Sequence, residues 1–359
     1  AGVYETVGYD KSPQRIRELQ KNNDRTGEVT SDVLQKSKLK CTSNAGDIVN
    51  ADVYIVTVPT PVDNRNKPDL VPLINATYLV SRVIKENDII IYESTVYPGA
   101  TEELCGPILE KETGLKLNKN LFLGYSPERI NPGDKKKKIT DIIKITSGSN
   151  LKTSNFIKKL YSLIIKAGVH QTDSIKIAEA AKVIENAQRD LNIAFVNELS
   201  LIFKKMKIST EKVLKAAETK WNFISFRPGL VGGHCIGVDP YYLTYKSKKI
   251  GHNPKIILAG RNLNDQMSSH VFKDILNMDR TGSAEIPRAE TLVLHWGFNT
   301  LTGSGVEGKI RVPDLSSGSY TLYDLSASFG QADTRCLKSM HIGKGYGVLA
   351  NSTSSISKE

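Results

Sequence analysis

Short apolar runs alternate with amphipathic stretches through the first half of the chain. Apolar runs bounded by turn residues are typical of buried strands, and the stretches between them have the spacing of surface helices. This alternation predicts an α/β fold with a Rossmann-like, doubly wound parallel sheet. The predicted strands are Tyr4–Tyr9, Val53–Val58, Asp88–Tyr92, Leu121–Gly124 and Ile142–Thr146, and the predicted helices are Pro13–Gln20 and one ending near Leu109.

The pattern becomes helical after Ser174. One long helix is predicted from Ser174 to about Met206, because neither glycine nor proline interrupts this stretch. A helix of that length often forms the spine of a domain. Two further helices are predicted over Thr210–Ala217 and Pro254–Asn277.

Beyond Asp279 the amino-acid composition changes again, since glycine, serine and threonine become frequent and lysine becomes scarce. Short alternating strands are predicted at Thr291–His295 and Tyr320–Tyr323, and a disordered tail at Asn351–Glu359. The sequence therefore predicts three parts. They are an α/β domain at 1–150, a helical domain at 151–278 and a β-rich segment of uncertain structure at 279–359.

Composition narrows the class of protein. Hydrophobic residues make up 39% and charged residues 24% of the 359 positions, as in ordinary soluble proteins. No apolar run is long enough to span a bilayer, and no signal segment opens the chain. The four cysteines lack the spacing of a metal site or a disulfide framework, which predicts no metal and a reducing cytoplasm. They are Cys41, Cys105, Cys235 and Cys336.

The net charge of +11 raises the question of nucleic-acid binding. The lysines are interleaved with acidic residues, no aromatic interleaving accompanies them, and the run Lys135–Lys138 is interpreted as a solvated surface. The positive field would instead favour small anionic substrates such as nucleotide sugars.

Asp10 lies at the end of a predicted strand. An acid at this place in a dinucleotide-binding unit typically holds the ribose hydroxyls, and Arg15 could reach the adjacent phosphate or adenine. A lone acid at a strand end is also typical of a helix cap. The glycine-rich phosphate loop should precede Asp10 by about twenty residues. Since nine residues precede it, the chain is expected to begin inside this unit, without its first strand and glycine loop.

Cys235 follows a Gly-Gly pair, and Asp239 stands four residues later, where a helix could begin. A helix N-terminus stabilises a thiolate, and a carboxylate at i+4 would lie on the same face. This arrangement suits a nucleophile with a partner that manages protons or water. The alternative is a buried structural cysteine in a glycine-rich turn.

Two further groups of polar residues point to an anionic ligand. Lys182, Asn186 and Arg189 fall within one narrow stripe of the long helix, which fits either a binding pocket or a solvated face. Glu128 and Arg129 occupy a turn after a predicted strand, at the sheet edge where α/β proteins bind ligands. A rigid surface turn with a local ion pair is the alternative for this second group.

Together these segments resemble the UDP-glucose/GDP-mannose dehydrogenase family over roughly residues 1 to 278. The sequence around Cys235 and Glu128 most resembles that of the family branch that oxidises UDP-N-acetylhexosamines. The matching stretches are Val58–Pro61, Tyr92–Thr101, Ser126–Asp134, Ala178–Leu199 and Phe226–Leu243.

The resemblance implies two successive NAD-linked oxidations of a sugar C6 alcohol to a carboxylate, for the synthesis of surface polysaccharide precursors. Cys235 would carry thiohemiacetal and thioester intermediates. Lys182 and Asn186 would stabilise the oxyanion, Asp239 and Thr95 would hold water, and Glu128 would act as base. The cofactor positions are Asp10, Arg15, Thr60 and Thr95, and the substrate positions are Arg129, Ile130, Lys182, Asn186, Arg189 and Gly232.

The resemblance further implies a homodimer through the central domain, with a UDP-sugar as substrate and neither nucleic acid nor membrane as partner. Thr291–Leu294 resembles the first strand of the family's UDP-binding domain, whereas the rest of 279–359 has no match. Two other interpretations stay open. One is a UDP-glucose 6-dehydrogenase, although those enzymes usually show a Lys-Asp pair after the cysteine. The other is a non-catalytic relative that binds a nucleotide sugar or only dimerises.

Overall fold

The computed structural model describes residues 4–37, 39–130, 138–232, 236–279, 291–297, 305–311, 319–322 and 338–341. The chain divides into two compact units, one ending at Val183 and the other beginning at Ile184. Within the part of the chain so described, no helix is long and apolar enough to cross a membrane.

The first unit is built on a five-stranded sheet in which the strands follow their sequence order. It consists of β3 (Val53–Val56), β4 (Ile89–Tyr92), β5 (Phe122–Tyr125), β6 (Lys144–Gly148) and β7 (Val169–Gln171). A separate parallel pair joins β1 (Val7–Tyr9) to β2 (Lys40–Thr42). The predicted α/β class is thus confirmed, and each predicted strand of this half overlaps an observed one.

The direction of β6 differs from the prediction, because β6 runs antiparallel to β5 while the other paired strands of this sheet are parallel. A parallel neighbour needs a crossover connection, usually a helix. In the described part of the β5–β6 connection only a short 3-10 turn occurs, at Ile139–Asp141. The start of β6 consequently lies at the edge of the sheet where β4 and β5 end.

Helices pack around these strands. They are α1 (Pro13–Gln20), α2 (Ser31–Lys36), α3 (Val71–Ser81), a π-helical turn at Thr101–Cys105 that leads into α4 (Gly106–Thr113), and α5 (Leu151–Ser162). The prediction of α1 is correct at both ends, since Ser12 accepts a hydrogen bond from the Arg15 N–H and Pro13 opens the helix. The core includes Ile91 of β4 packed with Ile157 and Tyr161 of α5.

Helix α6 (Ile175–Lys205) begins in the first unit and ends in the second. It agrees within a residue at each end with the predicted spine helix. The second unit also contains α7 (Thr210–Ala217), as predicted, α8 (Asp239–Lys249) and α9 (Lys255–Asp279).

The C-terminal segment contains two antiparallel strand pairs among its described residues. Strand β8 (Thr291–Gly297) pairs with β9 (Gly305–Arg311), and β10 (Ser319–Leu322) pairs with β11 (Lys338–His341). Both predicted strands of this segment overlap observed ones. The predicted disordered tail at Asn351–Glu359 lies outside the described residues.

Candidate active site

The predicted cofactor residues Asp10 and Arg15 flank the junction between β1 and α1. Asp10 directly follows β1, and its Oδ1 accepts a hydrogen bond from the Ser12 N–H at 2.8 Å. The N-cap of α1 is Ser12, so the capping interpretation is wrong for Asp10. Its Oδ2 makes no hydrogen bond within the described part of the chain, so it can still accept from a ribose hydroxyl.

Arg15 belongs to the first turn of α1. Its Nη2 donates to Asp24 Oδ1 at 2.7 Å, whereas its buried Nη1 makes no hydrogen bond to any described residue and is 4.0 Å from Glu18 Oε2. A buried N–H group without an acceptor is costly in a folded protein. An anionic or hydroxylated group of a dinucleotide would supply the acceptor, so these residues fit NAD.

Thr60 and Thr95, the other predicted cofactor residues, lie after the neighbouring strands β3 and β4, and both are partly buried. The two loops are tied together, because Ser94 Oγ donates to the Val58 carbonyl at 2.5 Å. The carboxyl ends of adjacent parallel strands thus bring both threonines to one edge of the sheet.

A buried carboxylate holds the segment that follows Thr95. Glu179 of α6 is fully buried and accepts hydrogen bonds from the backbone N–H groups of Gly99 and Thr101, the latter at 2.9 Å. Burial raises the pKa of Glu179 to about 7. Sequence reasoning did not identify this residue, since a glutamate among alanines on a helix looks like a solvated one.

Glu128 lies in the turn after β5, where the sequence predicted it. Its Oε1 accepts the N–H groups of Arg129 and Ile130, each at 2.7 Å, and Arg129 Nη1 donates to the Ile143 carbonyl at 2.7 Å. Glu128 Oε2 lies 3.5 Å from the Nζ of Lys144, a residue that sequence reasoning did not consider. The turn therefore presents an anchored carboxylate at the carboxyl edge of the sheet.

The polar stripe of α6 is buried at two of its three positions. Lys182 and Asn186 are each 7% exposed, and Arg189 is partly buried. The solvated-face interpretation is thus wrong for Lys182 and Asn186, because burying a lysine and an amide is costly unless they have partners. Ile184 is instead 53% exposed.

Asn186 and Asp239 meet within the second unit. Asn186 Nδ2 donates to Asp239 Oδ2 at 2.6 Å, and Asp239 is 2% exposed. Asp239 is the first residue of α8, so the idea that it lies one turn into a helix begun near Cys235 is wrong. Pro240 explains the late start, because it has no N–H with which to continue an earlier turn.

Cys235, the predicted nucleophile, lies outside the described residues together with Gly233 and His234. The flanking positions are described. Gly232 is partly buried in an extended loop, and Ile236 is buried at the start of the turn that leads into α8.

A buried polar network supports the loop before Gly232. The Asn197 side chain clamps Gly229, donating to its carbonyl at 2.9 Å and accepting its N–H at 2.8 Å. Asn197 also donates to Asn264 Oδ1 at 2.9 Å, and Asn264 donates to Asp190 Oδ1 at 2.7 Å. Arg261 pairs with the same Asp190 carboxylate. Sequence reasoning missed this network, whose members lie up to 74 residues apart.

Comparison with known proteins places these residues in one family. Residues 3–165 match the NAD binding domain, and residues 176–266 the central domain, of the UDP-glucose/GDP-mannose dehydrogenase family. The chain is 57% identical to a UDP-N-acetyl-D-glucosamine 6-dehydrogenase of Pseudomonas aeruginosa, over 86% of this chain and 71% of that protein. It is 52% identical to the Salmonella typhi protein of the same name, over 82% and 69%.

Solved structures agree with this match. The fold is similar to that of a UDP-D-ManNAc dehydrogenase from Pyrococcus horikoshii, with a TM-score of 0.73 and 29% identity over 80% of this chain and 69% of that one. A UDP-N-acetyl-mannosamine dehydrogenase from Staphylococcus aureus gives a TM-score of 0.67 at 27% identity, over 79% and 67%.

Proposed function

This chain belongs to the UDP-glucose/GDP-mannose dehydrogenase family, and from that membership we propose that it oxidises the C6 alcohol of a UDP-N-acetylhexosamine to the uronic acid with NAD. The observation that carries the proposal is the similarity to two proteins named UDP-N-acetyl-D-glucosamine 6-dehydrogenase. The product is a nucleotide-linked sugar acid, a precursor for surface polysaccharides.

The cofactor is held by the residues after the first strands. Asp10 offers Oδ2 to the ribose hydroxyls, and the Arg15 Nη1 offers the buried donor described above. Thr60 and Thr95 supply hydroxyls from the loops that Ser94 joins. When bound, NAD accepts the hydride at each of the two oxidation stages.

Cys235 provides the covalent attachment in this mechanism. Its thiolate adds to the C6 aldehyde to give a thiohemiacetal, whose oxidation leaves a thioester on the sulfur. The reactive aldehyde is thereby kept on the protein between the two oxidations. Water then attacks the thioester carbon, the C–S bond breaks, and the acid and the free thiol result.

Buried polar groups stabilise the charges that develop during these steps. Lys182 places an ammonium where an alkoxide or oxyanion forms, an effect worth about 3 kcal/mol on the scale of one oxyanion-hole donor. Asn186 assists from the next turn of α6, and its amide is oriented by the hydrogen bond to Asp239. Asp239 and Thr95 hold the attacking water, and Glu128 removes its proton.

Four further residues contact the substrate in this proposal. They are Arg129, Ile130, Arg189 and Gly232, which match the substrate positions that the family resemblance implies. The cations match the negative charge of a nucleoside diphosphate. We assign 1–150 to cofactor binding, 151–278 to catalysis and dimerisation, and 279–359 to a separate β-rich segment.

A homodimer through α6 belongs to the same proposal. One face of this helix carries Ile177, Ile184, Phe195 and Ile202, which fall within about 20° of one another at 100° per residue. Their exposed fractions are 44–55%. Exposed apolar stripes of this length are typical of protein interfaces, and this one supports the proposal. Phe195→Glu is expected to convert dimer to monomer in analytical ultracentrifugation, while Ile256→Glu, at an exposed site on α9, leaves the dimer intact.

The test of function is NADH formation by the 359-residue chain with UDP-N-acetylglucosamine, its galacto and manno epimers, and UDP-glucose. We expect two NADH per sugar consumed and an N-acetylated substrate preferred. Cys235→Ser should lose acid formation while its circular dichroism spectrum stays that of the wild type. Full turnover by that variant would contradict the covalent mechanism, and a clear preference for UDP-glucose would contradict the substrate assignment.

A further inference from the structure

One buried lysine lies between two carboxylates at the edge of the sheet where β4 and β5 end. The β5–β6 register pairs Gly124 with Gly148 and Tyr125 with Ser147. Continued past the last paired residues, the same register sets Glu128 opposite Lys144. Glu93, the first residue after β4, completes the group. The antiparallel direction of β6 is therefore what brings this lysine to the carboxylates.

Lys144 is buried, and its ammonium lies close to both carboxylates. Lys144 is 3% exposed, and its Nζ lies 3.4 Å from Glu93 Oε2 and 3.5 Å from Glu128 Oε2. Nζ also lies 5.3 Å from the centre of the Tyr161 ring, within the range of a cation–π contact. Burying an ammonium this deeply is costly unless opposite charge stays close.

The two carboxylates differ in their surroundings. The Glu93 side chain is 14% exposed, and its Oε1 accepts the Tyr161 hydroxyl, whereas the Glu128 side chain is 41% exposed. Burial raises the pKa of Glu93, against the opposing effect of Lys144 and Tyr161. Glu93 is thus a fixed inner partner of the lysine, and Glu128 is the partner that solvent and substrate can reach.

We propose that Lys144 is a positioning residue for thioester hydrolysis, which holds the Glu128 carboxylate in place while Glu93 and Tyr161 hold the lysine. This inference rests on the proposed function. During hydrolysis a proton moves from water to Glu128 Oε2, the water oxygen bonds to the thioester carbon, and the C–S bond breaks. Glu128 becomes neutral at that moment.

The second carboxylate, that of Glu93, keeps the buried Lys144 ammonium paired during this step. With Glu128 as its sole partner, Lys144 would be left unpaired whenever Glu128 took up a proton. Glu93 stays within 3.4 Å and continues to balance the ammonium. Before the step, the same ammonium fixes the Oε2 atom of Glu128, while the N–H groups of Arg129 and Ile130 fix Oε1.

The test separates hydrolysis from oxidation in the 359-residue chain. Lys144→Met is mixed with UDP-N-acetylglucosamine and NAD, and both the NADH burst and the mass of the protein are followed. The burst should keep its wild-type rate, because the oxidations do not use Glu128. Steady-state turnover should fall about 10-fold or more, the scale of a misplaced catalytic group, with the thioester accumulating on Cys235.

Two companion variants make the result decisive. Tyr161→Phe removes the hydroxyl that fixes Glu93 and is expected to slow hydrolysis about threefold, with the thioester again detectable, even if Lys144→Met does not fold. Lys158→Met removes one exposed lysine of α5 and should behave as the wild type.

Each other outcome has its own meaning. Wild-type hydrolysis in both cluster variants would overturn the inference and leave the proposed function standing. Burst and hydrolysis falling together would show a structural role only and would also overturn it. A wild-type chain that produces no NADH with any of the sugars would defeat the proposed function and the inference with it.

Discussion

Glu179 links the pH of the solution to the stability of the segment that carries Thr95. Burial raises its pKa to about 7 from the ordinary value of 4.5, so the folded chain binds this proton more tightly than the unfolded chain. The stability that the proton contributes is complete below pH 4.5 and is lost as the pH rises through 7. Glu102 and Glu103 face the site from the π-helical turn, and Lys176, paired with Glu103 at 3.0 Å, faces it from α6.

The size of the effect follows from the two pKa values. They differ by about 2.5 units, and one unit corresponds to about 1.36 kcal/mol, so the loss is about 3 kcal/mol. Glu179 is fully buried, and solvent screening therefore does not reduce this value. Between pH 5 and 7 the free energy of unfolding should fall by about 1.4 kcal/mol per pH unit on account of this group.

Glu179→Gln removes the titrating proton while preserving the shape of the side chain. Urea unfolding followed by circular dichroism at several pH values should show a flatter pH dependence for the variant between pH 5 and 7. Glu103→Gln serves as the control, because it removes a neighbouring carboxylate that is exposed. Equal slopes for Glu179→Gln and the wild type, or a wild type that becomes more stable relative to the variant as the pH rises, would refute the reasoning.

Two further predictions concern the second unit and the cysteines. Arg261→Met leaves Asp190 buried without its cation and should lower the free energy of unfolding by about 3–5 kcal/mol. Urea unfolding measures this change, and Lys255→Met, at an exposed position of α9, is the control. A decrease below about 1 kcal/mol would contradict the prediction. Burial raises the pKa of Cys105 to about 11 and also raises that of Cys41, so iodoacetamide at neutral pH should label Cys235 before these two cysteines. Peptide mapping reads the order, and faster labelling of Cys105 would count against a poised nucleophile.

The parts of the fold that the sequence predicted are those that repeat a local pattern. Strands such as β4 are nearly unbroken apolar runs, and α6 has no glycine or proline across its length. Local patterns carry no direction, however, so the antiparallel course of β6 was not predicted. The helices α3 and α5 were also missed.

In the candidate site, too, local spacing predicted some residues and missed those brought together by folding. The stripe containing Lys182 and Asn186 was visible from helical spacing, but whether it faced solvent or the interior depended on the packing around it. Lys144 belongs to a cluster assembled from four separate segments, and no spacing rule joins Glu93 to Tyr161 across 68 residues. Contacts made by strand register and by helix packing are properties of the folded chain.

The π-helical turn at Thr101–Cys105 also gives its segment one residue to spare. A π turn holds one residue more than an α turn, so a single deletion inside it would let the turn close as an α turn while the rest of α4 keeps its orientation. A deletion in the regular helix that follows would instead rotate the later residues by about 100°. Leu109, now fully buried, would then turn away from the core. Single-residue deletions should therefore be tolerated better within Thr101–Cys105 than between Gly106 and Leu109.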